Sequence, residues 1–169
     1  MVSHLNPDMR IAIVASEFNE DIMEPMIEKN RALFAEHGFT NVDIYRVPWA
    51  YEIPAVTSQI LMKWLHSLVI TLWCLIKWST PHFDYICDAC SRGLMDLSMS
   101  ADVPVIFWVL TCDTHEQAVA RANENYAIYG LNYLAQRGLL QHDLTTKHEE
   151  MMAQVGEIMQ DLDSIWVDE

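Results

Sequence analysis

Short apolar runs alternate with longer amphipathic stretches along most of the chain. The apolar runs predict β-strands at Arg10–Ala15, Val42–Val47, Leu68–Ile76 and Val103–Leu110. Apolar residues at helical spacing predict helices at Asp21–His37, Tyr51–Leu65, Pro81–Met99 and Thr114–Asn125, with another from about Tyr129. Strands that alternate with helices form a parallel sheet that is covered on both faces. The pattern therefore predicts an α/β fold, a doubly wound three-layer sandwich around a four-stranded parallel sheet.

Polar and aromatic residues concentrate just after the predicted strands, where sheets of this kind bind ligands. The stretch Ser79–Tyr85 is the most informative, because two hydroxyls and His82 stand between a buried strand and a helix start. The amino end of a helix offers free N–H groups to an anion, and an imidazole can transfer protons near neutral pH. This arrangement favours chemistry on a phosphorylated small molecule, although Ser-Thr-Pro is also a common helix cap.

Composition narrows the classes of function. The chain has 169 residues, of which 51% are hydrophobic, so it is long enough for one domain with a real core. Its formal net charge of −14 argues against a nucleic-acid partner. No secretory signal and no apolar run of membrane-spanning length is visible in the sequence.

The cysteines favour a reducing compartment. Cys87 and Cys90 form a C-x-x-C on a predicted helix, without the second pair that a zinc site needs. We therefore expect these two cysteines, like Cys74 and Cys112, to be reduced and packed in the protein interior. We also expect no bound metal and a cytoplasmic location.

The last part of the chain differs from the rest in charge. Residues 141–169 contain eight acidic residues, and Lys147 is their only lysine or arginine. Thr146 and Glu149 fit a capping box, and seven apolar residues follow at helical spacing. These are Met151, Met152, Val155, Ile158, Met159, Leu162 and Ile165. We expect a main domain at 1–140 and an acidic helical extension at 141–169, which packs on its own subunit or meets another.

Several separate stretches agree in order and spacing with one enzyme family, without gaps from about Arg10 to Leu140. They are Ile11–Ala15 with Phe18 and Asn19, Val47 and Pro48 with Glu52–Pro54, Thr80–Tyr85, Val103–Phe107 with Val109–Thr111, and Glu116–Ala118 with Arg121 and Ala122. Through these residues the chain resembles the 6,7-dimethyl-8-ribityllumazine synthases. The resemblance implies a flavodoxin-like fold.

The resemblance also implies a reaction and an assembly. In this family, 5-amino-6-ribitylaminouracil condenses with 3,4-dihydroxy-2-butanone 4-phosphate in riboflavin biosynthesis, with loss of phosphate and water. This transferase reaction uses neither cofactor nor metal. The sites lie between subunits of a homopentamer, and some members assemble pentamers into a larger cage.

Two residues carry the implied chemistry. His82 matches the family's proton-transferring histidine, and Arg121 matches the arginine that binds the phosphate. Ser79 and Thr80 match the loop that cradles the phosphate. Taken alone, Arg121 is also explained as a solvated charge on a helix.

Other matched residues belong to the pyrimidine side of the implied site. Phe18 matches the aromatic residue that stacks on the ring, and Phe107 matches a residue contributed by the adjacent subunit. Taken alone, both are also explained as core residues. Four more match the stretches that bind the uracil and its ribityl chain, namely Asn19, Ala50, Tyr51 and Glu52.

The chain departs from the family at its loops. Trp49, Trp73, Trp78 and Trp108 stand where the family has glycine, and each indole adds a large apolar surface. We expect these residues to occlude or reshape the site. Three hypotheses follow: a lumazine synthase with impaired turnover, an engineered and inactive assembly component on the same fold, or a flavin- or lumazine-binding protein without turnover.

Overall fold

The computed structural model describes residues 5–123 and 127–138 together with Met152. Four strands form one parallel sheet: β1 (Ile11–Ser16), β2 (Val42–Val47), β3 (Leu68–Ile76) and β4 (Val105–Cys112). The helices are α1 (Glu20–Glu36), α2 (Ile53–Met62), α3 (His82–Ser100) and α4 (His115–Ala122), and residues 127–134 are also helical (α5). The strand order β2-β1-β3-β4 is that of a flavodoxin-like sheet.

The two faces of the sheet carry separate apolar clusters, which confirms the three-layer sandwich. Side chains alternate along each strand, so Ile11 and Ile13 face one side while Ala12 and Val14 face the other. The first face packs against α1, α4 and α5, and the second packs against α2 and α3. Near the centre, β1 has its six residues buried, as a strand covered on both faces requires.

Two helix ends show how the sequence sets the boundaries. Gly38 follows α1 with φ of 86°, and its N–H donates to the carbonyl of Ala35, while the N–H of Phe39 donates to that of Phe34. This is the Schellman arrangement that glycine favours after a helix. The helix predicted to run to Leu65 instead ends at Met62, because Trp64 adopts a left-handed φ of 53° and turns the chain toward β3. The first turn of the predicted helix is instead a separate 3-10 turn, Ala50–Glu52, which precedes α2.

A polar cluster, Arg10, Asp43 and His66, closes the amino end of the sheet. The His66 side chain is 2% exposed, and its Nε2 lies 2.8 Å from Asp43 Oδ2. A guanidinium N–H of Arg10 donates to the same oxygen at 2.6 Å. The ring of Tyr45 meets the imidazole edge to face at 5.8 Å. These contacts join the turn before β3 to the starts of β1 and β2.

The chain divides into two compact units, residues 1–134 and 135–169. In the second unit, the structure describes only Met152 and residues 135–138, which are helical. Apart from Met152, the amphipathic helix predicted near the carboxyl terminus lies outside the described residues. None of the described helices is long and apolar enough to cross a membrane.

Candidate active site

A cavity of about 340 Å³ opens between the carboxyl ends of β1 and β3. The strand order reverses at this point, since β1 leads to β2 on one side and β3 leads to β4 on the other. Parallel sheets bind ligands in such a crevice. The lining residues come from four loops and helix starts: Ser16, Phe18, Trp49, Ala50, Tyr51, Glu52, Leu75, Trp78, His82 and Ile86.

The loop after β1 sets the first wall of the cavity. Ser16 is buried at the end of β1, and its Oγ accepts a hydrogen bond from the N–H of Phe18 at 3.1 Å. Asn19 follows in a left-handed conformation, with φ of 58°, and its side-chain amide donates to the carbonyl of Cys74 at 2.9 Å. Asn19 therefore fastens the start of α1 to β3, while Phe18 faces the cavity.

The 3-10 turn after β2 sets the second wall. Glu52 Oε2 accepts the main-chain N–H of Trp49 at 3.0 Å, so this carboxylate holds the turn closed. Ala50 is buried, and its carbonyl accepts the thiol of Cys90 from α3 at 3.1 Å. Tyr51 completes this wall and is exposed.

His82 is the first residue of α3 and enters the cavity from the third side. Its imidazole stacks on the indole of Trp78, with ring centroids 5.5 Å apart and planes 10° from parallel. Ser79 and Thr80 lie between these two residues and are exposed, but they do not line the cavity. The first turn of α3 presents main-chain N–H groups without an intrahelical acceptor, which suits an anion beside His82.

Two of the four tryptophans expected to occlude or reshape the site lie away from the cavity. Trp73 and Trp108 are buried, at 0% and 1% exposure, in the clusters on opposite faces of the sheet. The register explains this, because Leu72 pairs with Trp108 and Trp73 with Val109, so the two indoles point in opposite directions. Of these four tryptophans, all of which the structure describes, Trp49 and Trp78 line the cavity.

Those two indoles extend a chain of aromatic contacts. Trp49 is 52% exposed and stacks on Phe18 at 5.0 Å, with the planes 28° apart. Trp78 is half-buried and meets Phe18 edge to face at 6.0 Å. Trp49, Phe18, Trp78 and His82 therefore form one continuous row, which we call the aromatic row. Within this row, the Trp49 indole covers one face of the Phe18 ring.

Phe107 and Arg121 lie outside the cavity of the same chain. Phe107 is 46% exposed on β4, which is an edge strand. Arg121 is exposed on α4 beside the thiol of Cys112, whose pKa burial raises and the guanidinium lowers, with burial the stronger effect. Within one chain, His82 and Arg121 are therefore not brought together.

The cysteines near the site are packing residues. All four are free, and burial raises the pKa of the Cys74 and Cys90 thiols to about 12 and that of Cys87 to about 11. Such thiols are protonated at neutral pH and are poor nucleophiles. Among the residues that the structure describes, no three His, Cys, Asp or Glu side chains come close enough to hold a metal ion.

Comparison with known proteins identifies the family to which the chain belongs. The sequence profile of the 6,7-dimethyl-8-ribityllumazine synthases matches residues 8–135. The chain belongs to this family. The 6,7-dimethyl-8-ribityllumazine synthase of Limosilactobacillus reuteri (strain DSM 20016) is 38% identical over 112 residues, which cover 66% of this chain and 74% of that protein. The one from Streptomyces coelicolor (strain A3(2)) is 36% identical over 115 residues, covering 68% and 71%.

Membership of the lumazine synthase family confirms the resemblance drawn from the loop motifs. Of the residues expected in a lumazine synthase site, five line the cavity: Phe18, Ala50, Tyr51, Glu52 and His82. Sequence reasoning did not single out Ser16, Leu75 and Ile86, which also line it. Ser16 carried one signal, as a polar residue ending an apolar strand, whereas Leu75 and Ile86 look like ordinary core residues in the sequence.

Proposed function

We propose that the protein is a lumazine synthase of riboflavin biosynthesis. It condenses 5-amino-6-ribitylaminouracil with 3,4-dihydroxy-2-butanone 4-phosphate and releases phosphate and water. The observation that carries the proposal is His82, at the amino end of α3 in the same cavity as Phe18. An imidazole can move protons during imine formation and phosphate elimination, next to N–H groups that suit the phosphate.

The site of the proposed enzyme is completed by a second subunit. Phe107 and Arg121 are exposed and lie outside the cavity that holds His82, and among the described residues no arginine lines that cavity. An arginine binds a phosphate dianion in a bidentate manner, and Arg121 of a neighbour can supply that contact. This supports a homopentamer with sites between subunits, whether or not pentamers assemble further into a cage.

Turnover of the proposed enzyme is lower than in an ordinary family member. Trp49 already stacks on the Phe18 ring, the surface on which the pyrimidine binds in the proposed enzyme. Lys77 stands where the family usually has arginine, and its ammonium lies 3.9 Å from Asp113. Each lost charge-assisted contact with phosphate costs on the order of 2 kcal/mol.

Two further parts of the proposal rest on the sequence and the cysteines. Four free thiols support a cytoplasmic location. The acidic charge of residues 141–169 supports an extension separate from the enzyme domain at 1–140.

The direct test is lumazine formation from both substrates at saturating concentrations. His82→Ala should lower turnover by about 10²- to 10⁴-fold if the imidazole transfers protons. His37→Ala is the matched control, because His37 is exposed after the far end of α1 and should leave the rate unchanged. Equal rates for His82→Ala and the parent protein would refute the assignment.

A mixing experiment tests whether sites form between subunits. His82→Ala and Arg121→Ala chains, each poorly active alone, are unfolded together and reassembled. If one site takes His82 from one subunit and Arg121 from the next, random mixing restores about a quarter of the sites. No recovery in a mixed assembly, or a monomer in sedimentation, would contradict the proposal.

A second candidate function is flavin or lumazine binding without turnover. The observation that favours it is the open cavity lined by Trp49, Tyr51 and Trp78, whose volume is within the usual range for small-molecule sites, about 300–1,000 Å³. Saturable quenching of tryptophan emission by riboflavin, without lumazine formation, would support this candidate over the enzyme.

A further inference from the structure

His82 enters the cavity without a polar partner to orient it. The side chain is exposed, and among the described residues no hydrogen bond or ion pair reaches its ring. By contrast, His66 and His115 are each held by a carboxylate, Asp43 and Asp21 respectively, at 2.8 and 2.7 Å. A histidine that transfers protons needs its ring held in the productive geometry. Some other contact must therefore restrict His82.

The His82 ring is contacted by the indole of Trp78. The two rings are almost parallel, at 10°, with centroids 5.5 Å apart. The indole also meets Phe18 edge to face at 6.0 Å. Aromatic pairs in these geometries attract beyond their buried area. The indole is thus held between the loop after β1 and the first residue of α3.

The chain anchors Trp78 and His82 close to regular structure. Trp78 follows β3 by two residues, and the main-chain N–H of Lys77 between them donates to the carbonyl of Cys112 at 2.8 Å. His82 begins α3, whose first turn is closed by the N–H groups of Asp84 and Tyr85 donating to Pro81. Both rings therefore project from restrained backbone, so the side-chain torsions are the freedom that remains to His82.

We propose that Trp78 is a positioning residue that orients the His82 ring in the cavity. The kinetic part of this inference rests on the proposed function, in which His82 transfers protons. Trp78 then has a role opposite to occlusion. Trp78 lines the cavity but orients the reacting imidazole. Its removal therefore slows the chemical step instead of opening the cavity to substrate.

The structural part is tested by NMR of the histidine ring protons, which does not require activity. The His82 signals are assigned by their loss in His82→Ala. Because the imidazole stacks on the indole, the ring current of Trp78 shifts these protons, so their signals should move in Trp78→Ala. Trp49→Ala is the matched control, because Trp49 contacts Phe18 and not His82, and it should leave the signals in place. Unchanged signals in Trp78→Ala would overturn the proposal.

The kinetic part separates positioning from occlusion. Trp78→Ala should lower kcat about 3- to 10-fold, the factor that one aromatic pair contributes, with KM for the phosphorylated substrate unchanged. Trp78→Phe keeps a stacking ring and should restore kcat to within about 2-fold of the parent. A higher kcat in Trp78→Ala, or equal losses in both variants, would overturn the proposal. If the parent forms no lumazine, the proposed function fails, and the NMR comparison still decides whether Trp78 orients His82.

Discussion

Two histidines at opposite ends of the sheet, His66 and His82, have opposite surroundings. At the amino end, His66, Asp43 and Arg10 bond to one another, and the imidazole is almost fully buried. At the carboxyl end, His82 is exposed and is contacted by an aromatic ring rather than a carboxylate. The same residue type thus stabilises the fold at one end and is available to a ligand at the other.

This contrast follows from the chain's path through the parallel sheet. The right-handed crossovers bring the loops that precede helices to the carboxyl end, where helix amino termini and the switch point create a crevice. The turns that enter strands meet at the amino end, where no such crevice is needed. Substitutions in the cluster at the amino end should therefore change stability and not ligand binding, and substitutions of exposed side chains that line the cavity should do the reverse.

The largest effect on this contrast is expected from His66→Ala. The change removes a buried ring that packs on Tyr45 and leaves Asp43 without its imidazole partner. Lost packing together with a lost hydrogen bond should lower the free energy of unfolding by about 2–3 kcal/mol. Urea unfolding monitored by circular dichroism measures it.

Lys63→Ala is the control for the same turn, because Lys63 is exposed and its loss should change stability by less than about 0.5 kcal/mol. Riboflavin or substrate binding by folded His66→Ala should match the parent. A stable His66→Ala with altered binding would show that the two ends are not separate in role.

The sequence predicted the sheet well because apolar runs and helical spacing respond to burial, which is a local pattern. It could not separate the tryptophans, since each looked the same as a replaced glycine. Trp73 and Trp108 lie within strands and follow the alternation into the core, whereas Trp49 and Trp78 lie in loops after β2 and β3. Their different surroundings depend on register and on loop conformation, which no spacing rule supplies.

The end of the sheet that holds the site, and His82 within it, were predictable from the polar residues after the strands, whereas Phe18 was recognised through the family's motifs. His82 and Phe18 are recognisable by their neighbours in the sequence, and both reach the cavity. Their contacts with Trp78 and Trp49 depend on the folded loops. The separation of Arg121 from His82 within one chain is likewise a result of the fold, because α4 packs on the opposite face of the sheet from α3.

A smaller effect is expected from Trp49→Gly, which restores the residue that the family has at this position. In the proposed enzyme the pyrimidine stacks on Phe18, and Trp49 covers one face of that ring. Removing the indole should lower KM for 5-amino-6-ribitylaminouracil about 3- to 10-fold, the range of one aromatic contact. Stability should change little, because the indole is 52% exposed.

The same variant separates the two candidate functions. A flavin-binding protein uses the exposed indole as a stacking surface, so Trp49→Gly should weaken riboflavin quenching instead. Tyr133→Ala is a control, since Tyr133 is exposed and does not line the cavity. An unchanged KM together with unchanged riboflavin affinity would show that Trp49 has no role at the site.

The smallest effect concerns the pH dependence of the amino end. The hydrogen bond from His66 is the main cause that holds the pKa of Asp43 below its ordinary value, with Arg10 adding to it and burial opposing it. In the unfolded chain the pKa of an aspartate is about 3.9. As the pH falls, the unfolded state binds a proton first, so this contribution is present above about pH 4 and is lost as the pH falls through the lowered pKa. Because the Asp43 side chain is 36% exposed, the loss should be below about 1 kcal/mol.

The measurement is urea unfolding of the parent and Asp43→Asn between pH 6 and pH 3, where the difference in unfolding free energy should shrink toward acid. A difference that stays constant over this range would mean that the carboxylate's charge adds nothing to the stability of the amino end.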